Sequence, residues 1–203
     1  YLAVEGLILD GQFGADDLVR VAGPATGFVL RDTEVRRTAG DAIDMGAVRQ
    51  ARILGALIHH ALNPAGGRTD AHGIAAGAVR DLVIRDTEIH TFSGDAIQID
   101  AGREAPGWDD VLIDGCRFWL APLREATNGF DAGAVPGENA IDTKTNRRMP
   151  RARLTIRNTE THGFRKGLIT NMAAFNIKER VDAVLDGVTI FDSEIALRLR
   201  APA

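Results

Sequence analysis

A short phrase recurs along this 203-residue chain, and it limits the possible folds more than any other feature. Gly40-Asp41-Ala42-Ile43-Asp44 returns as Gly94-Asp95-Ala96-Ile97-Gln98, and again as Glu138-Asn139-Ala140-Ile141-Asp142. The first two copies follow near-identical leaders, Leu30-Arg31-Asp32-Thr33-Glu34-Val35 and Ile84-Arg85-Asp86-Thr87-Glu88-Ile89. The third has a looser one, Ile113-Asp114-Gly115-Cys116-Arg117. Self-similarity at a few tens of residues is the mark of a stacked-coil architecture. Stacking turns each repeated position into a column, and columns can be read one at a time.

Aligned on the leader, Leu9, Leu30, Ile53, Ile84, Ile113, Ile156 and Leu185 share one column. A basic coil of about 21–23 residues with insertions explains the spacing, a period open to a parallel β-helix or a leucine-rich repeat. Two observations choose the β-helix. The segments are short, alternating and β-branched, as in Leu82-Val83-Ile84 and Leu154-Thr155-Ile156. No stretch shows helical periodicity with caps, and the leucine-rich signature is missing. The expected fold is all-β, a single-stranded parallel β-helix of about seven coils in one domain over residues 1–203.

Two positions after the leader stand Gly11, Asp32, Gly55, Asp86, Gly115, Asn158 and Gly187. These residue types tolerate a left-handed backbone, so this column is expected to be a tight corner. In the phrase, Ile43, Ile74, Ile97, Ile141, Leu168 and Ile195 are expected to point inward, with Met45, Ala76, Ile99, Thr143, Thr170 and Leu197 two residues on. The residues between them would point out. The column Ala42, Gly73, Ala96, Ala140 and Gly167 would then be a flat floor for a sugar chain.

The extra residues fall near 63–70 and 122–137, before the phrase strand, and near 101–107 and 145–150, after it. Insertions on both sides of one strand stack imply two walls flanking a groove, where a rigid scaffold carries function. Register places Gln98 beside Asp142, Asp100 beside Lys144, and Asp95 beside Asn139. Asp95, Asp100, Glu138 and Asp142 form an acidic set of the kind that holds Ca2+, which takes oxygen ligands. The bland alternative is a solvated face with Asp100–Lys144 as a surface ion pair. Lys144, with Arg147, Arg148, Arg165 and Lys166 nearby, is a candidate base and acidic-sugar binder. Gln98, Asn171 and Trp108 are further candidate substrate contacts. His72 stands at the corner where the phrase begins, beside Asp95, and is the candidate histidine for proton transfer or substrate contact. His59, His60, His90 and His162 follow leader strands, away from that floor.

Composition sets outer limits. A formal net charge of −4 gives no basic stripe for nucleic acid. No run of about 18 apolar residues exists to span a membrane. Cys116 is the lone cysteine and sits in a repeat strand, where an inert buried thiol is expected. The start at Tyr1 reads as a mature or trimmed chain, or part of a longer one. Solenoid ends are sticky edges, so an oligomer or further chain is expected to cover them.

The leader, the Gly-Asp-Ala-Ile phrase, the Gly/Asp/Asn corner and the flanking insertions together resemble the right-handed parallel β-helix proteins of the pectate lyase superfamily. The resemblance covers nearly the whole chain. It implies a secreted or periplasmic protein acting on an acidic, uronate-containing polysaccharide by β-elimination. Gly137-Glu138-Asn139-Ala140-Ile141-Asp142 looks like the calcium-binding Asp-Asp-Gly-x-Asp pattern of some pectate lyases, with Asn139 and Ala140 replacing Asp and Gly. Lys144 is the nearest match to their catalytic base. A glycoside hydrolase on the same scaffold, or a non-catalytic adhesin- or spike-like β-helix, is the alternative.

Overall fold

The computed structural model describes residues 1–14, 16–65, 70–102, 107–178 and 180–200. Among them the chain winds as a right-handed parallel β-helix with three sheets. The leader sheet stacks Leu2–Glu5, Phe28–Arg31, Val48–Leu54, Arg80–Arg85, Asp109–Asp114, Ala152–Arg157 and Val181–Asp186, with Ala25–Thr26 added against Val48–Leu54. The middle sheet stacks Ile8–Asp10, Glu34–Thr38, Leu57–Ala61, Glu88–Phe92, Arg117–Trp119, Glu160–His162 and Thr189–Phe191. The phrase sheet stacks Val19–Val21, Ile43–Met45, Ile74–Ala76, Ile97–Asp100, Ile141–Lys144, Ala173–Ile177 and Ile195–Leu199. All three grow by parallel pairing of one coil on the next.

The core is a set of aliphatic columns. Leu30, Ile53, Ile84, Ile113 and Ile156 pair in sequence on the leader sheet and are fully buried. Val35, Ile58, Ile89 and Phe118 do the same on the middle sheet, and Ile43, Ile74, Ile97 and Ile141 on the phrase sheet. Cys116 is buried, and burial pushes its thiol up to about 11, so it is the inert packing thiol expected.

The corner column has a physical pattern. Gly6, Asp32, Gly55, Asp86, Gly115, Asn158 and Gly187 all have positive φ, between 47° and 67°. Glycine alternates with Asp or Asn because the longer side chain lies over the next coil's glycine. A Cβ on Gly55 would stand 2.5 Å from Asp32 Oδ1, and one on Gly115 would stand 2.6 Å from Asp86 Oδ1. No side chain fits there.

Three expectations about register are corrected. The first coil's leader is Val4, which pairs with Leu30, and its corner is Gly6; Leu9 belongs to the middle sheet, opposite Val35. In the sixth coil the phrase strand is Ala173–Ile177, so Phe175 continues the column from Ile141, and Leu197 follows it in place of Ile195. Leu168 is 52% exposed, in the turn before that strand. The small column is not a floor: Ala42, Ala96 and Ala140 belong to the core. A Cβ on Gly73 would meet Ile89 Cγ2 at 2.4 Å, so this corner has room only for small residues.

The terminal coils leave apolar side chains exposed, among them Ile8 at 63% and Leu199 at 70%.

Candidate functional site

Outward side chains on the phrase sheet run Arg20, Asp44, Ala75, Gln98, Asp142, Asn176 and Arg198. The middle of this column meets Asp95, Asn139 and Glu138 from the corner where each phrase begins. The three juxtapositions expected from register are present. Asp95 Oδ1 accepts from the backbone N–H of Asn139 (3.1 Å) and from its Nδ2 (2.8 Å). Gln98 lies opposite Asp142. Lys144 Nζ is 3.6 Å from Asp100 Oδ2 and donates to Gln98 Oε1 at 3.0 Å.

The bonds continue across the coils. Gln98 Nε2 donates to Asp95 Oδ2 at 3.2 Å, and Asn139 Oδ1 accepts the Ala173 N–H at 2.9 Å. Asp142 Oδ1 accepts from Asn176 Nδ2 (2.8 Å), and its Oδ2 pairs with Lys178 Nζ (2.9 Å). Asn176 and Lys178 were missed in the sequence because the sixth phrase strand was placed too early. Burial raises the proton affinity of both Asp95 and Asp142, against the hydrogen bonds and the Lys178 charge that lower it.

His72 is buried and structural in its contacts. Its backbone N–H donates to Asp41 Oδ1 at 2.8 Å, and its Nδ1 accepts the Asp95 backbone N–H at 2.8 Å. Burial lowers its proton affinity, so the ring is neutral, with Nδ1 committed as an acceptor. Gly94 is glycine because a Cβ there would stand 2.5 Å from that nitrogen.

Glu138 is the half-buried acid of the cluster. Its carboxyl is pushed up to about 7, first by burial and then by the charges of Asp95, Asp70 and Asp142. Its backbone N–H donates to Gly94 O at 2.8 Å, and Asp70 borders the same glycine, its Cβ 3.0 Å from where a Gly94 Cβ would be. In the sequence Asp70 belongs to the insertion at 63–70, and nothing in its own spacing marks it. Half of that insertion, 66–69, lies outside the described residues, as do 103–106 of the insertion near 101–107.

Other candidates sit elsewhere. Trp108 is buried, its Nε1 donating to Lys144 O at 2.9 Å, so it packs the core and presents no face to a sugar. Lys166 and Asn171 are not on the phrase sheet; they occupy the turn before Ala173, each with positive φ. Arg165 is exposed and pairs with Asp192 at 2.6 Å. Arg147 is exposed, and its carbonyl accepts from Arg180 Nη1 at 3.0 Å.

The acidic set does not fit calcium as arranged. Calcium needs six to eight converging oxygens. Here the Asp95 and Asp142 oxygens already accept from amides or an ammonium, and Asp100 Oδ1 accepts the Gly102 N–H at 2.7 Å. Among the described residues no group of three or more His, Cys, Asp or Glu side chains has the geometry to hold a metal ion.

The long insertion takes an unexpected path. Asn128 Nδ2 donates to Leu62 O at 2.6 Å, and a Cβ on Gly129 would touch Pro64 at 2.7 Å. The segment 121–128 therefore leans over the middle sheet, where it forms clefts with Arg36, His59, His60, His90 and Trp119.

No family model matches the chain, and no curated protein matches it. Solved structures do. A protein of Geobacillus virus E2, ORF18, has a TM-score of 0.52 and 12% identity, over 98% of this chain and 42% of that one. The catalytic domain of a GH87 α-1,3-glucanase in complex with nigerose has a TM-score of 0.50 and 14% identity, over 97% of this chain and 46% of that one. Pectate lyase Pel9A has a TM-score of 0.47 and 12% identity, over 91% and 51%. The chain spans about half the length, or less, of these structures. The likeness to the first two is one of fold, with no family shown by identities this low.

Proposed function

We propose that the protein is a carbohydrate-active β-helix that cleaves a glycan on the phrase sheet by acid-assisted hydrolysis. The observation that carries this reading is Glu138: a half-buried carboxyl, crowded by Asp70, Asp95 and Asp142, that holds its proton up to about pH 7. A protonated carboxyl at neutral pH is what a glycosidic leaving oxygen requires. Hydrolysis needs a second carboxylate to take a proton from the attacking water. Asp70, across Gly94, is the assigned partner. Glu138 gives its proton to the leaving oxygen as the glycosidic bond breaks; water bonds to the anomeric carbon, and its proton passes to Asp70. Asp95, His72 and Asn139 are positioning residues. The likeness to a glucanase catalytic domain supports a glycan substrate. The lysines of this face, Lys144 and Lys178, already contact Gln98, Asp100 and Asp142, which favours a neutral glycan over a polyuronate.

A β-eliminating lyase is the second reading. It rests on Lys144, on the same face, with exposed Arg147 three residues on. The test is product chemistry on neutral and uronate glycans. New reducing ends without an unsaturated-uronate absorbance support hydrolysis. That absorbance, lost in Lys144→Ala and kept in Glu138→Gln, supports the lyase. Binding without either product makes the chain a binding module.

A further inference from the structure

The middle sheet carries on its outer side a column of rings, one per coil. His59, His90, Trp119, His162 and Phe191 stand in register. His59–His90, His90–Trp119, Trp119–His162 and His162–Phe191 are stacked, with centroids 4.9, 4.2, 6.0 and 4.6 Å apart. Their faces cover one another, so their edges line the surface; Trp119 Nε1 donates to Glu88 Oε1 at 2.7 Å, and His59 Nε2 lies 3.1 Å from Glu34 Oε1.

Segment 121–128 closes over this column. Two hollows of about 500 Å³ each lie beneath it and share His60, Glu125 and Thr127, which makes them one elongated cleft. Ligand sites fall in this size range. The backbone beside the rings is bent to fit. Arg37, His60 and Thr91, in successive coils, have φ of 56°, 58° and 55°, a left-handed conformation that is exceptional for β-branched Thr91. Each bend turns two successive side chains outward, so His60 joins His59 in the lining. The same left-handed φ recurs at Gln50, Asp81 and Asp110 on the leader sheet, so the bend is a property of the coil that here shapes the lining.

The lining mixes apolar surface from Trp119, Pro122 and Leu123 with polar groups, and its charged members are Arg36, Arg37, Arg124 and Glu125. Arg36 and Arg37 are engaged by Asp10. His60 is held down to about 4 and His90 to about 3 by burial and neighbouring cations, so both are neutral at pH 7. Neutral imidazoles, Thr91, Thr127 and Asn128 offer donors and acceptors, and the exposed loop charges Arg124 and Glu125 are of opposite sign. Such a lining suits sugar hydroxyls better than a phosphate, a uronate or a basic peptide.

We infer that the cleft between segment 121–128 and the middle-sheet rings is a second saccharide-binding site, for a neutral oligosaccharide, on a different face from the Glu138 cluster. Its ligand class rests on the glycan reading above; its location does not. It would hold a stretch of polymer while the phrase sheet acts on another.

The test uses the 203-residue chain and a panel of neutral gluco-, galacto- and manno-tetraoses, with binding measured by calorimetry. Ala121→Trp and Ala126→Trp each place a large side chain in one half of the cleft from an exposed loop position. Wild type should bind one of the sugars at two sites, and each variant should weaken one site at least 10-fold. Glu138→Gln should leave that cleft site intact. Wild-type binding at a single site unaffected by either cleft variant, or no binding to any member of the panel, overturns the inference. Reducing-end assays separate the two readings. Cleavage by a protein whose binding ignores the cleft variants retains the hydrolase and removes this site. Cleft-dependent binding without cleavage does the reverse.

Discussion

Asn139 holds Asp95 with two bonds, one from its backbone N–H and one from its side-chain amide, and turns its own carbonyl oxygen to the Ala173 N–H of the next coil. One side chain thus links three coils across the candidate site. Asn139→Ala would remove one of the bonds to the buried Asp95 carboxyl and leave the Ala173 N–H without its acceptor, at a cost of about 2–3 kcal/mol. Asn139→Asp would put a second acid against Asp95 and should destabilise more at pH 8 than at pH 5. Urea unfolding at both pH values checks this.

Lys178 and Asp142 make a largely buried lysine–carboxylate pair on this face, with side chains 17% and 7% exposed. Lys178→Met would leave Asp142 buried beside Asn176 without its cation, costing about 3–5 kcal/mol. Adding Asp142→Asn should recover most of that loss. A double-mutant cycle by chemical denaturation reads the coupling.

The alternating corner makes an asymmetric prediction. Asp86→Gly relieves a positive φ and should stay within about 1 kcal/mol of wild type. Gly115→Ala puts a Cβ at positive φ and 2.6 Å from Asp86 Oδ1, and should cost about 2 kcal/mol or more. The double change Asp86→Gly with Gly115→Ala should cost less than Gly115→Ala alone. Thermal unfolding of the three variants decides it.

Glu138 should shape both stability and rate with pH. Its folded carboxyl, near 7, lies above its ordinary 4.5, so the folded state holds the extra proton between those values. Stability therefore falls as pH rises from about 4.5 through 7. Glu138→Gln should match wild type near pH 4 and exceed it at pH 8, as measured by urea midpoints. The wild-type rate should fall as pH climbs through about 7, when the proton donor is lost.

Much of this was legible in the sequence. The corner column and the pairing of Asp95, Gln98 and Asp100 with Asn139, Asp142 and Lys144 follow from counting, because parallel coils in register carry sequence spacing into space. Where counting failed, local pattern was ambiguous. Leu2–Glu5 and Ile8–Asp10 are both short apolar strands, and only pairing says which sheet each joins. Ala173–Ile177 is buried on both sides and so lacks alternation, while Gly167-Leu168-Ile169 imitates the phrase and is a turn. Strand alternation predicts Ala42 and Ala96 outward, yet both are core, because period two says nothing about how a corner turns. The path of 121–128 over the middle sheet depends on contacts such as Asn128 with Leu62, which no spacing reveals.

The most direct test of the account is release of reducing ends from neutral glycans by wild type and Glu138→Gln, with both proteins shown folded. The account predicts reducing ends with no unsaturated product, and a loss of about 10²- to 10⁴-fold in Glu138→Gln. Equal rates in the two proteins, or unsaturated uronate as the product, would contradict it.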